Sequence, residues 1–359
     1  MYSKNKSQLI SNGLWALVLA SLISSCSFLS DVQKPDYPED GLTIGFYNVE
    51  NLFDTINDPD IRDEAYLPES EVPWNTERYL QKLDNLGQVI ASMDTLGFPY
   101  LLGLCEVENR AVLEDLAANH HIREAEYEII HYEGPDRRGI EVAMLYRPGY
   151  FLPVHTESLN VHWEGMGRSN PRDILYVKGV VYPKDTLHVF VNHWPSRWGG
   201  EEASRHLRIG NANFLRSKVD SLFAIDLYTN IVIMGDFNDN PDDASLFGHL
   251  RAFSPDEEIR HGHLFNLAME PYLLGEGTLF FNNNWDYFDQ IIVSSNLIKP
   301  VHGHWVAGPI EVIRRPWMLF YPPRGGEPRP NRTASSRSYF GGYSDHLPVM
   351  FRLTREASE

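Results

Sequence analysis

The sequence predicts a mixed α/β protein built around buried sheets, and three observations carry that reading. Short β-rich apolar runs recur along the chain, among them residues 43–49 (TIGFYNV), 100–105 (YLLGLC) and 231–234 (IVIM). The last two lack the polar alternation of a half-wet strand, so both their faces are expected to be covered. Only a few stretches of helical spacing fall between the runs, which argues for sheets with helices outside them. The chain has 359 residues, 43% hydrophobic and 22% charged, which is too apolar for disorder and long enough for a large core.

The N-terminus is read separately. Lys4 and Lys6 precede an apolar run at 13–23 (GLWALVLASLI), followed by Ser24, Ser25 and Cys26. This is the order of a secretory signal, and the run is too short to span a bilayer as a mature helix. The stretch LISSC resembles a bacterial lipobox, in which the cysteine is lipidated; ordinary cleavage near Ser25 is the alternative. We expect a signal peptide at 1–25, a polar tether at 26–40 and one domain at 41–355. The expected location is the cell envelope, with the chain exported and anchored in the membrane through lipid on Cys26. Cys105, the other cysteine, reads as a small core hydrophobe.

The remaining elements follow in order. Residues 76–93 carry Leu80, Leu83, Leu86 and Ile90 at helical spacing, with Thr76 as the expected N-cap. Further strands are expected at 141–146, 174–182, 187–192, 290–293 and 347–353, and a second helix at 201–223. Residues 312–340 stand apart. They hold Arg314, Arg315, Arg324, Arg329, Arg332 and Arg337 against one acid, Glu327. Two readings stay open there: a solvated insertion, or a rim of arginine forks for substrate phosphate. Trp305, Trp317, Leu319, Phe320 and Tyr321 add apolar character that suits either packing or lipid contact.

The charge balance is acidic, 31 Lys+Arg against 49 Asp+Glu, a net of −18 that becomes −20 once the two leader lysines are lost. A protein that grips a long polyanion usually shows a basic face, so the basic residues must act locally or the substrate must be small.

Polar residues cluster at the ends of the buried runs. Asn48 and Glu50 follow the first strand, Glu106 ends the second, and His193 ends a third (VFVNHWPSR). Asp236 and Asn238 end a fourth (IVIMGDFND), Asp289 opens a fifth (YFDQIIVS), and Asp345-His346 precede a sixth (GGYSDHLPV). One such end is an ordinary turn. Six in one chain point to a shared site. Carboxylates and amides without cysteine suit a hard cation such as Mg²⁺ or Mn²⁺, and histidines beside carboxylates suit proton transfer and anion stabilisation. A Walker loop, HEXXH, a CXXC pair and G-x-S-x-G are all missing.

The set Asn48, Glu106, His193, Asp236-x-Asn238, Asp289 and Asp345-His346, in this order, resembles the endonuclease/exonuclease/phosphatase superfamily, which includes deoxyribonucleases, abasic-site endonucleases, sphingomyelinases and inositol-polyphosphate 5-phosphatases. The resemblance covers about residues 42–354, and GDFN and SDHLP are its most specific pieces. It implies an α+β fold: a four-layer α/β/β/α sandwich with two mostly antiparallel sheets face to face. It also implies roles. Glu106 is the main metal ligand, with Asn48 and Asp345 beside it; Asp236 activates water, and Asn238 holds that site. His346 contacts the scissile phosphate with Asp289 as its partner, and His193 is the general acid. This chain departs from the family in reading Asn192-His193-Trp194 where a Thr-His-Leu type triplet is usual. Glu141 is the expected carboxylate partner of His193, and Arg197, Arg205 and Arg324 are the expected substrate contacts. The resemblance implies a metal-dependent phosphodiesterase, first a nuclease acting as a monomer on nucleic acid. The alternatives are a phospholipid phosphodiesterase, a phosphatase on small compounds, or a non-catalytic surface binder on the same scaffold.

Overall fold

The computed structural model describes residues 41–163, 166, 171–181, 185–301 and 305–355. The expected signal peptide, Cys26 and the tether, at 1–40, lie outside the described residues. In chain order the elements are β1 (Leu42–Leu52), α1 (Thr76–Met93), β2 (Leu101–Val107), α2 (Arg110–Ala117), β3 (Glu128–His131), β4 (Glu141–Tyr146), β5 (Phe151–Leu159), β6 (Ile174–Val181), β7 (Asp185–His193), α3 (Glu201–Ile225) and β8 (Asn230–Asp236). After these come β9 (Ala252–Phe253), β10 (Leu264–Asn266), β11 (Leu279–Phe281), β12 (Asn284–Asp286), β13 (Asp289–Ser294), β14 (Trp305–Ala307) and β15 (Glu311–Val312). The chain closes through β16 (Leu319–Phe320), β17 (Arg329–Pro330), β18 (Ala334–Ser335), β19 (Ser338–Tyr339) and β20 (Val349–Arg355).

Two seven-stranded mixed sheets form the body. One runs β14-β20-β1-β2-β4-β3, with β15 also on β20; the other runs β5-β6-β7-β8-β13-β10-β9. The period-two alternation of each strand explains why the central runs read as continuously apolar. Phe46, Cys105, Val232 and Met234 face the core between the sheets. Their neighbours face outward: Tyr47, Leu102 and Leu104 pack with α1 and α2, and Ile231 and Ile233 pack with α3. Helix layer, sheet, sheet and helix layer follow in that order, the α+β arrangement expected.

Two expectations for α1 shift. The N-cap is Asn75, whose side chain accepts from the Arg78 amide, so Thr76 is the first helical residue. Leu80 is 57% exposed; the buried face runs through Tyr79, Lys82, Leu83, Leu86 and Ile90. Among the described residues, no helix is long and apolar enough to cross a membrane.

Candidate active site

Two parallel pairs set the site. β1 runs alongside β2 with Asn48 opposite Cys105, and β7 runs alongside β8 with His193 opposite Asp236. Both pairs end on the same edge of the sandwich, and β13 starts there with Asp289 opposite Asp236. Glu106, at a bulge near the end of β2, and Asn238, just past β8, have left-handed φ of 63° and 52°. This conformation is uncommon outside glycine and clusters at functional sites. Here it lets each chain turn while its side chain stays at the rim. Gly235 sits opposite Asn192 in the β7–β8 pair, and a Cβ there would sit 2.4 Å from the Asn192 carbonyl oxygen.

Six of the predicted side chains meet at this edge. Asn48 Nδ2 donates to Asp236 Oδ2 at 3.0 Å and to Glu106 Oε1 at 3.4 Å. The Asn238 amide N–H holds Asp236 Oδ1 at 2.9 Å. His346 Nδ1–H donates to Asp289 Oδ2 at 2.6 Å, and its Nε2 lies 3.9 Å from Asp236 Oδ2. His193 Nε2 lies 3.7 Å from Asp236 Oδ2 and 3.8 Å from Glu106 Oε1. Asp345 is at the open side, 3.1 Å from Arg332.

The geometry sets how each group is presented. The Asn48 oxygen accepts from the Glu50 amide, and its Nδ2 faces Glu106 and Asp236. His193 is buried; burial, then the nearby Arg172, Arg138 and His346, hold its imidazole well below the usual range. A neutral imidazole is a poor proton donor to a leaving group. Burial also opposes charge on His346, but Asp289 outweighs it by field and hydrogen bond, with Asp236 and Asp345 adding to the effect, and raises this imidazole well above its usual value. The cationic imidazole of the site is therefore His346. Glu141 is not the partner of His193, whose Nδ1 has no hydrogen-bond partner among the described residues. The Glu141 carboxyl packs over Gly134, and burial followed by Asp136 pushes it up to about 8. Asp236 is pushed up to about 7, mainly by burial, with His346 opposing and Asp289 adding to the rise.

The expected substrate arginines are engaged elsewhere or remote. Arg197 donates to the Asn238 carbonyl and pairs with Asp239 and Asp243, bracing the turn behind Asp236. Arg205 pairs with Glu201 and Glu202 on the outer face of α3. Arg324 is exposed. Within the 312–340 segment, Arg314 stacks on Trp285 and donates to the Gly277 carbonyl, and Arg315 donates to the Ser92 carbonyl.

Sequence reasoning missed the group that builds the open side. Arg332 bonds Glu50 at 2.9 Å as well as Asp345. Lys82, buried on α1, donates to Thr333 Oγ1 at 2.5 Å and to the Tyr343 carbonyl at 2.7 Å. Arg172, also buried, donates to the His193 and Trp194 carbonyls and fixes the end of β7. Tyr66 lies near Glu106: burial first, then the Glu106 and Glu50 carboxylates, raises its hydroxyl.

A hard cation fits the donors at this edge. The Glu106 and Asp345 side chains stay 17% and 28% exposed, while Asp236 and Asp289 are shut in. Oxygen donors of this type suit Mg²⁺ or Mn²⁺. The closest-set donor triads here, Asp236–Asp289–His346 and Cys105–His193–Asp236, include neither Glu106 nor Asp345. Burial pushes the Cys105 thiol well up, which disfavours thiolate ligation.

The fold and this edge together define a phosphoester-hydrolase type of site: a four-layer sandwich with an Asp–His pair, a buried Asp between two histidines and partly exposed carboxylates. The model of the Endonuclease/Exonuclease/phosphatase family matches residues 43–355, and the chain belongs to that family. No curated protein matches the sequence. Among solved structures, the chain is similar to a mannosyl-6-phosphatase from Bacteroides thetaiotaomicron (17% identity, 87% of this chain and 99% of that one, TM-score 0.55). It is similar to a humanised TDP2 from D. rerio (13%, 88% and 99%, 0.53) and to the human Nocturnin catalytic domain with bound sulfate (14%, 89% and 96%, 0.52). At these identities the likeness shows the fold.

Proposed function

We propose that this family hydrolase is a divalent-metal-dependent phosphoesterase acting on a small phosphorylated compound, exported and tethered through lipid on Cys26. The observation that carries the chemistry is the convergence of Asp236, Asn238, Asp289 and His346 with Glu106 and His193. Asp236 takes the proton of the attacking water, held in place by the Asn48 and Asn238 donors. The water oxygen bonds to phosphorus as the ester bond to the leaving oxygen breaks. The His346 imidazolium, kept charged by Asp289, donates to a phosphate oxygen as negative charge builds. His193 offers a neutral imidazole between Asp236 and Glu106. A cation held by Glu106 and Asp345 would supply Lewis-acid charge toward the phosphate.

Two observations favour a small substrate over the nuclease first expected. The net charge is −18. The arginines nearest the site are already shared with carboxylates, and Arg314, Arg315 and Arg332 of the 312–340 segment brace the fold, so among the described residues no row of free cations tracks a nucleic-acid backbone. The nuclease reading keeps one specific support. A hollow of about 530 Å³ beside Asp345 and Arg332 is lined by Phe281, Phe320 and Phe340, whose rings are exposed and suit base stacking.

The test is a turnover panel with Mg²⁺ or Mn²⁺: sugar phosphates, a dinucleotide, DNA, RNA and sphingomyelin. Asp236→Asn and His346→Ala should each lose at least about a hundredfold in kcat. Near-normal turnover by either variant would end the assignment, and full activity in excess chelator would remove the metal from it.

A further inference from the structure

Next to Glu50 and Asn51 lies a second hollow, about 370 Å³. Asn51 donates its backbone N–H to Glu106 Oε2 at 3.0 Å, so the hollow opens beside the candidate metal ligand. One wall comes from residues 65–74, ahead of α1; the other is the β18–β19 hairpin with the residues just before it. Tyr66, Trp74 and Tyr339 form its aromatic side, and Glu71, Ser336 and Arg332 its polar side. We propose that this hollow is the subsite for the sugar ring of a phosphorylated carbohydrate. The proposal rests on the phosphoesterase reading and names its substrate class.

The shape of the aromatic side argues for a sugar. Tyr66 meets Trp74 edge-on at 87°, and Trp74 meets Tyr339 at 68°, with centroids 6.3 Å apart in both pairs. These rings make a corner. A flat base needs a parallel face or slot to stack, whereas a puckered ring can lay its C–H groups into a corner and turn its hydroxyls outward. A carboxylate, serine hydroxyls and a guanidinium supply both acceptors and donors for those hydroxyls. The same polar groups count against an acyl chain, which would desolvate them without partners. The volume sits at the low end of the roughly 300–1,000 Å³ of small-molecule sites, which suits one ring more than an extended polymer.

The hollow is also preformed. Phe53 stacks on Tyr66 at 4.0 Å, and Trp74 Nε1 donates to the Phe53 carbonyl. On the other wall, Tyr339 donates to Gln81 and lies under Arg78, and Thr333 donates its amide to Glu50. Walls held by separate contacts on each side lose little entropy on binding, which suits a ligand with few atoms.

The test measures kcat/KM in Mg²⁺ for hexose 6-phosphates, thymidine 5′-phosphate and propyl phosphate, on the whole protein and on Tyr339→Ala and Glu71→Gln. The proposal expects hexose phosphates to exceed propyl phosphate by at least tenfold, because a site built for hydroxyls rejects an analogue lacking them. It expects both variants to cut that preference at least fivefold, through KM. Glu71 is exposed, so its variant keeps the test open if Tyr339→Ala fails to fold. Hexose phosphates no better than propyl phosphate, a larger preference for thymidine 5′-phosphate, or variants that lower all substrates alike would each overturn the sugar subsite and leave the phosphoesterase reading standing. Failure to turn over any phosphoester would overturn that reading and the subsite with it.

Discussion

Lys82→Met is the perturbation that best isolates how the rim is held. The ammonium makes two hydrogen bonds, 2.5 Å to Thr333 Oγ1 and 2.7 Å to the Tyr343 carbonyl, from a position 1% exposed. Hydrogen bonds from a charged donor contribute about 1.5–3 kcal/mol each, so two are worth roughly 3–6 kcal/mol. Against this, taking an ammonium out of water costs several kcal/mol, which methionine does not incur. The variant also leaves Glu50, itself buried, with Arg332 as its remaining cation. Removing one partner from a buried charge set typically costs about 3–5 kcal/mol, and we take about 3 as the net loss here. At roughly 2–3 °C per kcal/mol for a chain of this size, the melting temperature should fall by about 6–9 °C. Hydrogen exchange should quicken at residues 331–343 and stay slow in β7 and β8. Adding Glu50→Gln should recover part of the loss, since it removes the carboxylate left short of a partner. The reasoning fails if Lys82→Met melts within about 1 °C of the parent with unchanged exchange at 331–343.

Four further outcomes are expected. Asp289→Asn should lower kcat about 10²–10⁴-fold by removing the charge that supports His346, and should also lower the melting temperature, because the buried His346 imidazolium loses its charged partner at 2.6 Å; kinetics and calorimetry on one sample decide it. Gly235→Ala forces β7 and β8 apart at the Asn192 carbonyl, so thermal unfolding should show about 1–3 kcal/mol of destabilisation with a parallel loss of activity. Burial, then Arg110, pushes His131 down to about 4. The unfolded imidazole takes a proton below about 6.5 and the folded one resists until about 4, so stability should be lost as pH falls through that window, by about 3 kcal/mol at most; His131→Phe should flatten urea-denaturation stability between pH 7 and 4. Inorganic phosphate should bind at least tenfold more tightly with saturating Mg²⁺ than without it, by calorimetry; equal affinity would count against a cation at Glu106 and Asp345.

Much of the fold was legible because its central strands are covered on both faces. Residues 100–105 and 231–234 read as unbroken apolar runs for that reason, and their ends fall within a few residues of β2 and β8. β5 was not legible. It alternates exposed and buried residues, carries Pro153, and bulges between Pro153 and His155, as an edge strand that pairs only with β6 can do. Leu80 was misplaced on α1 because spacing alone fits more than one stripe. The true stripe passes through Tyr79, Lys82, Leu83 and Leu86, and a lysine on an apolar face was the available sign of a buried partner.

The site was legible as a list of strand ends but not as a charge balance. Residues 312–340 count six arginines against one acid, which reads as a basic rim. In space, Arg332 meets Glu50 and Asp345, respectively 282 residues before it and 13 after it, and Arg314 and Arg315 spend their donors on backbone carbonyls. Sequence windows register charge where it is encoded, whereas Coulomb pairing acts where it is folded. The balance at the edge therefore differs from the local count. Glu50, Glu106, Asp236, Asp289 and Asp345 gather around Arg332, Lys82 and His346. Burial holds Glu50 and Asp236 up near 7, which is how so many acids can share the space. Arg172 and Arg138 lie near His193 as well, so acids and cations meet at this edge in comparable number, and Arg332 on its open side is already divided between two carboxylates. A divalent cation at Glu106 and Asp345 would add positive charge for a bound phosphate, which is how the donor set supports the proposed metal-dependent reading.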